Sequence, residues 1–143
     1  MFNQTLSPQP WGQSTGLATI RIITGLMMAY HGLEVFYPAT MEEYMKWDVV
    51  KSLPAPRFMI YLGKGLELVS GILFVLGLFT RAAALFMAIN MLFICFRIGK
   101  GEFYYGDQHP FLFAVLAMVF FFTGPVKWSL DQWLFSPARK SST

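Results

Sequence analysis

Charged residues are scarce in this chain of 143 residues: only 13% are Asp, Glu, Lys or Arg, whereas an ordinary soluble domain has about 25%. Hydrophobic residues make up 55% of the chain, and the mean hydropathy is +0.49. The low charge argues against a soluble globular protein. The high hydrophobicity excludes intrinsic disorder, which requires the opposite composition. The length is sufficient for one domain.

Cysteine is nearly absent as well, since Cys95 is the one cysteine of the sequence. A single thiol excludes a disulfide framework, a CxxC redox pair and a cysteine-based zinc or iron–sulfur site within the chain, and we predict no metal site. We expect Cys95 to be a packing residue, because a thiol among apolar side chains is unreactive. The net charge is only +3 and no basic run is interleaved with aromatics, so nucleic acid is not an expected partner.

Long apolar runs dominate the sequence and predict an all-α integral membrane protein. About 20 apolar residues, at roughly 1.5 Å each, cross the core of a bilayer. Short connections make consecutive spans antiparallel, which predicts a four-helix bundle. The predicted transmembrane domain covers 17–135, with spans at about 17–36, 58–79, 82–98 and 109–124. Residues 1–16 would form a polar N-terminal tail and 136–143 a C-terminal tail.

The longest connection, between Pro38 and Pro56, predicts a short amphipathic helix on the membrane surface between spans one and two. Thr40 and Glu43 have the spacing of a capping box, and apolar side chains alternate with charged ones behind them. A solvated loop is the alternative.

The orientation in the membrane is weakly encoded. With four spans, both termini share one side, and Lys and Arg are almost equally divided between the two sides. The positive-inside rule therefore gives no clear answer. Most acids fall on the side opposite the termini, and on that basis we prefer cytoplasmic termini.

Ionisable side chains interrupt the apolar runs, although each costs about 2.5–3.5 kcal/mol at the centre of a bilayer. Antiparallel threading would put most of them at a similar depth opposite the termini: His31, Glu34, Lys64, Glu67, Arg97, Asp107 and His109. Arg21 and Arg81 lie near the terminal side, where long side chains can snorkel to water. We expect these two arginines to be structural charges.

Helical spacing predicts which of these groups share a face. His31 and Glu34 are three residues apart, as are Lys64 and Glu67. The stripe GxxxExxxG around Glu67 consists otherwise of small residues, which let helices approach closely and would hold this carboxylate inside the bundle. Its candidate partners are Lys64, His31 and Arg97.

Asn90 and Arg97 form a further pair. They are seven residues apart, which is two helical turns, and would lie on one face of span three. We expect that face to contribute to the same cluster.

The cluster has three interpretations. It can be an internal salt-bridge network that fixes helix packing, or a polar site for a ligand or a proton path. His31 and His109 could also ligate a haem, although nothing around them specifies one. For His31 alone, a hydrogen-bonded structural role is as good an explanation as a functional one. The sequence contains no GxSxG, HExxH, GxGxxG or P-loop motif.

Three sequence motifs carry a family resemblance. Span one reads R-x3-G-x5-HG from Arg21 to Gly32, span two reads GKGLELVSGILFVLGLFTRAAA, and the chain closes with GPVKWSLD. These motifs resemble the DoxX family of small bacterial four-helix membrane proteins, over about Leu17 to Asp131. The stretch E-x3-G-x5-GL-x-TR-xAA, which starts at Glu67, is the most specific element.

The resemblance implies a multi-pass protein of the bacterial cytoplasmic membrane that is linked with redox chemistry. Some members are membrane subunits of thiosulfate:quinone oxidoreductase, and others are associated with quinone, catechol or oxidative stress. Members often carry a lysine shortly after the HG pair, where this chain has Glu34.

The first functional hypothesis is a redox-associated membrane subunit that binds quinone or couples a partner oxidoreductase to the quinone pool. No intrinsic cofactor is evident, quinone is the candidate, and a homodimer is a candidate assembly. Whether the subunit is itself an enzyme stays open. The candidate catalytic residues are His31, Glu67 and Glu34, and the candidate substrate-binding or anion-binding residues are Lys64, Arg97, His109 and Asn90.

Two other hypotheses remain. The chain can be a non-enzymatic scaffold or assembly partner of an oxidoreductase complex, with the segment between Pro38 and Pro56 as its docking surface. It can also be a small transporter, although four spans are few for alternating access unless the protein dimerises.

Overall fold

The computed structural model describes residues 12–136, and within that range the chain forms helices, turns and loops but no β-strand. The prediction of an all-α chain is confirmed. The elements are α1 Gln13–Gly32, a 3-10 turn Leu33–Phe36, α2 Pro38–Met45, α3 Asp48–Lys51, α4 Pro56–Leu76, α5 Thr80–Phe93, a π turn Ile94–Ile98, α6 Gln108–Thr123 and α7 Leu130–Phe135.

The four longest helices, α1, α4, α5 and α6, overlap the four predicted spans with shifted ends. Helix α1 begins at Gln13, directly after Gly12 in a left-handed conformation, so residues 13–16 are helical and do not belong to a tail. Helix α4 ends at Leu76, because Gly77 adopts a φ of 62° and terminates the helix. The parts of the predicted tails at 1–11 and 137–143 lie outside the described residues.

The connection between α1 and α4 contains two short helices, where the sequence predicts one. The predicted capping box is wrong, because α2 begins at Pro38 and Thr40 lies inside the helix. Proline is favoured at the first helical position, since its fixed φ suits the helix and it has no N–H to leave unpaired. Met41 and Val50 are buried, so α2 and α3 pack onto the long helices through one side chain each.

Helices α1 and α4 pack closely and antiparallel through glycines. A methyl group on Gly25 would lie 2.7 Å from the carbonyl oxygen of Gly71, and one on Gly32 would collide with the backbone of Leu68. Small residues thus allow the two backbones to approach to a distance that side chains would prevent. This packing fixes the positions of α1 residues along the helix axis relative to those of α4.

The hydrophobic core lies between α4, α5 and α6, with Met28 of α1 reaching into it. Phe74 and Phe120 are fully buried and meet edge to face, with ring centroids 5.3 Å apart. The other core residues of α5 and α6 include five alanines, namely Ala83, Ala84, Ala88, Ala114 and Ala117.

The turn between α4 and α5 is held by residues from the end of the chain. Asp131 accepts hydrogen bonds from the backbone N–H groups of Phe79 at 2.6 Å and Thr80 at 2.8 Å. Its own N–H donates to the carbonyl of Gly77 at 2.9 Å. Asp131 therefore caps the first turn of α5, although it lies about 50 residues after that turn in sequence.

Arg21 corrects a prediction, because it is fully buried and does not snorkel. Its Nε donates to the carbonyl of Phe74 at 2.9 Å and its Nη2 to the carbonyl of Trp128 at 2.7 Å. The carbonyls that these bonds satisfy lie near the end of α4 and in the segment before α7. Arg81, by contrast, is exposed, and its guanidinium lies beside Gly124.

Among the described residues, two helical stretches, Pro56–Leu76 and Thr80–Ile98, are long and apolar enough to cross a membrane, and Gln108–Thr123 is a shorter apolar helix. The outer faces of the long helices are apolar. Large side chains are exposed along them, for example those of Leu26, Ile72, Phe86, Ile89 and Phe122.

Candidate functional site

Lys64 lies at the centre of the polar cluster and bridges two carboxylates. Its Nζ is 2.8 Å from Oε2 of Glu34 and 3.0 Å from Oε2 of Glu67. The Glu34 side chain is 30% exposed, that of Lys64 16% and that of Glu67 3%. The three groups therefore form a chain of charges that leads from the surface to the interior.

Tyr44 of α2 belongs to the cluster, because it contacts both Glu34 and Lys64. Its hydroxyl donates a 2.5 Å hydrogen bond to the same Oε2 atom of Glu34, and Lys64 Nζ lies 5.3 Å from the centroid of its ring. Burial and the bond to the Glu34 carboxylate together raise the pKa of Tyr44 to about 12. Tyr44 thus remains a hydrogen-bond donor throughout the physiological pH range.

The backbone positions this cluster at the end of the close α1–α4 contact. Lys64 and Glu67 are three residues apart on α4 and share a face. Glu34 lies two residues after Gly32, which packs against the backbone of Leu68. Because this contact fixes the position of Glu34 relative to α4, the Glu34 carboxylate lies next to the Lys64 ammonium.

The two histidines contact each other. The His31 and His109 rings meet edge to face, with centroids 5.1 Å apart and an interplanar angle of 67°. His109 makes a similar contact with Phe113 at 5.0 Å. This contact does not fit the haem alternative, because two axial ligands must lie on opposite sides of an iron and its porphyrin. Within residues 12–136, no group of three His, Cys, Asp or Glu side chains has the geometry of a metal site.

A pocket of about 410 Å³ lies beside the cluster, between α1, α4, α5 and the start of α6. Its walls are mostly apolar and include Met28, Met59, Leu66, Met91 and Ile94. Seven polar or aromatic-polar side chains also line it: His31, Tyr44, Trp47, Lys64, Glu67, Asn90 and His109. The volume is within the usual range of pockets for small ligands, about 300–1,000 Å³.

Asn90 forms part of the pocket wall opposite α4. It is buried, and its Nδ2 donates to the carbonyl of Gly63 at 3.2 Å. The bond links α4 to α5 at the level of the polar cluster.

Two predicted members of the cluster lie elsewhere. Arg97 is exposed and does not line the pocket, whereas Asn90 is buried. The wider π turn at Ile94–Ile98, closed by a bond from Gly99 N–H to the Ile94 carbonyl, changes the angular spacing, so the two residues do not share a face. Asp107 caps its own loop by accepting from the N–H groups of Lys100 and Glu102.

Glu34, a predicted catalytic residue, lies next to the pocket and not in its lining. Its carboxylate binds Lys64 and Tyr44, but it does not line the pocket. Its geometry is that of a group which holds Lys64 in place.

Tyr44 and Trp47 are pocket residues that the sequence reasoning missed. Both line the pocket, and their rings meet edge to face at 5.0 Å. The amphipathic pattern of the segment was visible in the sequence, but it indicated only a surface helix. Nothing in the pattern showed that α2 folds back over the start of α4.

Comparison with known proteins gives one family. The DoxX family model matches residues 16–99. An uncharacterized protein of Haemophilus influenzae is 30% identical over 128 residues, which are 83% of this chain and 90% of that protein. A Bacillus subtilis protein named "Putative oxidoreductase CatD" is 27% identical over 128 residues, 89% of this chain and 92% of its own length. No solved structure matches the chain.

The matched region contains most of the elements that build the site, but not α6 with His109. It includes α1, α2, α4 and α5, and with them Lys64, both of its carboxylate partners, Tyr44 and Asn90. The sequence resemblance stated above is thereby confirmed. The chain belongs to the DoxX family, whose members are membrane-associated.

Proposed function

We propose that this DoxX protein is a multi-pass subunit of the bacterial cytoplasmic membrane that binds a quinone in the pocket beside Lys64. The pocket is the observation that carries the proposal. It combines apolar walls, which suit a quinone ring, with a few hydrogen-bonding groups, which suit its two carbonyl oxygens. Reduction of a quinone to a quinol takes up two electrons and two protons, so ionisable groups beside the ring have a chemical use.

The membrane part of the proposal is supported by the outer surface. Helix α4 and the helical stretch Thr80–Ile98, which is α5 with the π turn, are long and apolar enough to span a bilayer. The exposed faces of α1 and α6 carry large hydrophobic side chains such as Leu26 and Phe122. A soluble monomer rarely exposes so large a continuous apolar surface. We propose that α1, α4, α5 and α6 are the four spans of an antiparallel bundle.

Within the pocket, each polar residue has a role that follows from its surroundings. Lys64 is a cation that can donate to a carbonyl oxygen or stabilise negative charge on a reduced ring. Glu67 is the buried carboxylate that can exchange a proton with the bound quinone. His31, half-buried beside His109, can donate a hydrogen bond or pass on a proton, since its reference pKa is near neutrality. Asn90 is an amide hydrogen-bonding group at the wall.

The electrons come from a partner in this proposal. The name of the Bacillus subtilis relative supports an oxidoreductase context. The resemblance to subunits of thiosulfate:quinone oxidoreductase makes thiosulfate the first donor to test. Oxidation of two thiosulfate ions to tetrathionate releases two electrons, which match the two that a quinone accepts. A partner oxidoreductase subunit, or a second copy of this chain, would complete the assembly.

The proposed orientation has both termini in the cytoplasm. His31 and Glu34 lie at the end of α1 that is opposite the termini, and Lys64 and Glu67 lie in the middle of α4. This orientation therefore directs the exposed side of the cluster, at Glu34, to the outer side of the membrane. Cysteine labelling tests the orientation, because Cys95 is the one native cysteine and is buried. In a Cys95→Ser background, a cysteine at exposed Lys51 should react with an impermeant maleimide on intact cells, and a cysteine at exposed Lys127 should not.

Binding of a short, soluble benzoquinone tests the function. The protein is reconstituted in nanodiscs, and Trp47, which lines the pocket, reports binding through quenching after the other three tryptophans are replaced by phenylalanine. Saturable quenching of Trp47 by the quinone is expected. The variants Asn90→Leu and Lys64→Gln should each raise the dissociation constant of the quinone about tenfold or more, because a lost hydrogen bond to a buried ligand group has that magnitude. Lys51→Gln, a change at an exposed lysine outside the pocket, should not.

Activity of the purified complex provides the second test. Thiosulfate-dependent reduction of the same quinone should fall in His31→Ala and Glu67→Gln. Unchanged activity in both variants would remove these residues from the reaction, and absence of saturable quinone binding would refute the proposed function.

A further inference from the structure

Part of the pocket wall is also part of the outer surface. Leu62 of α4 and Phe86 and Ile89 of α5 line the pocket, yet they are 43%, 52% and 58% exposed. The pocket is therefore open along the seam between α4 and α5. The exposed side chains at this opening are all hydrocarbon.

Glu67, Asn90 and Lys64 form the buried polar part of the pocket. Glu67 and Asn90 are among the most buried polar residues of the described chain, and Lys64 is held between Glu67 and Glu34. A ligand that fills the pocket thus meets hydrogen-bonding groups inside and an apolar opening at the seam. This gradient matches a molecule with a polar ring at one end and a hydrocarbon chain at the other.

The other end of the pocket is less suited to a hydrocarbon chain. There α2 covers the start of α4, and Tyr44, Trp47 and His109 line the pocket together with Leu53 and Met59. Their polar atoms favour water or a headgroup, whereas the seam continues into the apolar outer faces of α4 and α5, which include Val69 and Ile72. A chain leaving by the seam would remain among apolar groups.

From these observations we infer that the natural ligand is a long-chain quinone that enters sideways from the lipid, with its ring at Glu67 and Asn90 and its tail in the seam between α4 and α5. This inference rests on the proposed quinone function and adds the substrate class and the route. The side chain of Ile89 lies at the opening and sets its width.

A matched pair of substitutions tests the inference. Ile89→Phe enlarges a side chain at the opening, and Ile72→Phe makes the same change on the outer face of α4 away from the pocket. Binding of a decyl-tailed and of a tailless benzoquinone is measured in nanodiscs by Trp47 quenching. The dissociation constant of each variant is divided by that of the parent protein for the same ligand. Partition of the decyl tail into lipid affects both values equally and therefore cancels from this ratio.

Ile89→Phe should weaken the decyl quinone about tenfold, the effect of a misfitted methylene-sized group in an apolar site, and should leave the tailless quinone unchanged. Ile72→Phe should alter neither. If Ile89→Phe affects the two quinones equally, or affects neither while both bind, the inference is wrong and the proposed function stands. If neither quinone binds the parent protein, both are wrong.

A photolabel gives an answer that does not depend on the folding of a variant. A decyl quinone with a diazirine at the end of its tail is bound to the parent protein, irradiated and mapped by mass spectrometry. Labels on the seam residues Leu62, Phe86 or Ile89 support the inference, and labels confined to α2 and α3 overturn it.

Discussion

The Glu67 carboxylate depends on Lys64 for its hydrogen bond, whereas Lys64 has a second carboxylate partner. Within residues 12–136, the one hydrogen bond of the Glu67 side chain is the 3.0 Å contact from Lys64 Nζ, whereas Lys64 also binds Glu34 at 2.8 Å. Glu67 is nearly removed from solvent and Glu34 is not. Loss of the lysine therefore leaves one carboxylate buried without a partner and leaves the other able to reach water.

Replacement of Lys64 by methionine should destabilise the protein by about 3–5 kcal/mol, because a buried charge loses its counter-charge. The double variant Lys64→Met/Glu67→Met should recover most of this loss, since a hydrophobic pair of similar volume replaces the ion pair. Unfolding in mixed SDS and dodecylmaltoside micelles, followed by circular dichroism, measures both effects. Lys51→Met, which removes the partner of the exposed Asp48, is the control and should have no measurable effect. A double variant less stable than the single one would contradict this account.

Tyr44 gives a pH dependence whose sign can be worked out. Its pKa of about 12 in the folded protein, set by burial and by the bond to Glu34, lies above the value of about 10 in an unfolded chain. The folded state therefore holds the proton more tightly. The stability that depends on this proton is complete below about pH 10 and is lost as the pH rises towards 12.

Comparison with Tyr44→Phe isolates this effect, because other titrating groups are common to both proteins. The difference in unfolding free energy between parent and variant should be constant up to about pH 10 and then decrease. A spectrophotometric titration at 295 nm should show that the variant lacks one tyrosine that ionises near pH 12. Loss of a tyrosine that ionises near pH 10 would show that the hydrogen bond to Glu34 does not form.

Local sequence patterns predict the helices well and their partners less well. The apolar runs predict the four longest helices, and the three-residue spacing of Lys64 and Glu67 predicts their contact. Helical spacing placed Arg97 on the same face as Asn90, and this prediction was wrong because a π turn changes the angle per residue. No feature of the sequence marks that turn. The prediction for Arg21 was also wrong, since snorkelling was inferred from depth alone, while the carbonyls that hold the guanidinium belong to distant segments. Tyr44 was missed because its position depends on how α2 folds over α4.

Replacement of Gly71 and of Gly65 in α4 by alanine should change the stability of the protein in opposite directions. A methyl group on Gly71 would lie 2.8 Å from Cα of Ala29 and from the carbonyl oxygen of Gly25, both backbone atoms that cannot move aside. Gly71→Ala should cost about 1–3 kcal/mol through overpacking. Gly65 has no atom within 4 Å of its would-be methyl group, so Gly65→Ala should stabilise α4 by about 0.5–1 kcal/mol. The same micelle unfolding assay measures both, and equal effects would contradict the close α1–α4 packing.

Asp131 should be more important for the start of α5 than its distance in sequence suggests. Its two carboxylate oxygens accept the N–H groups of Phe79 and Thr80, and Phe79 has a φ of 48° that the turn must maintain. Asp131→Ala should cost about 1–2 kcal/mol, the usual loss for a helix cap. Asp131→Asn should cost less, because the amide keeps one acceptor oxygen. Hydrogen exchange of the amides at 79–83 should accelerate in the same order, while Asp48→Ala, at an exposed aspartate, should leave them unchanged. Equal protection in all three variants would show that α5 begins without help from the end of the chain.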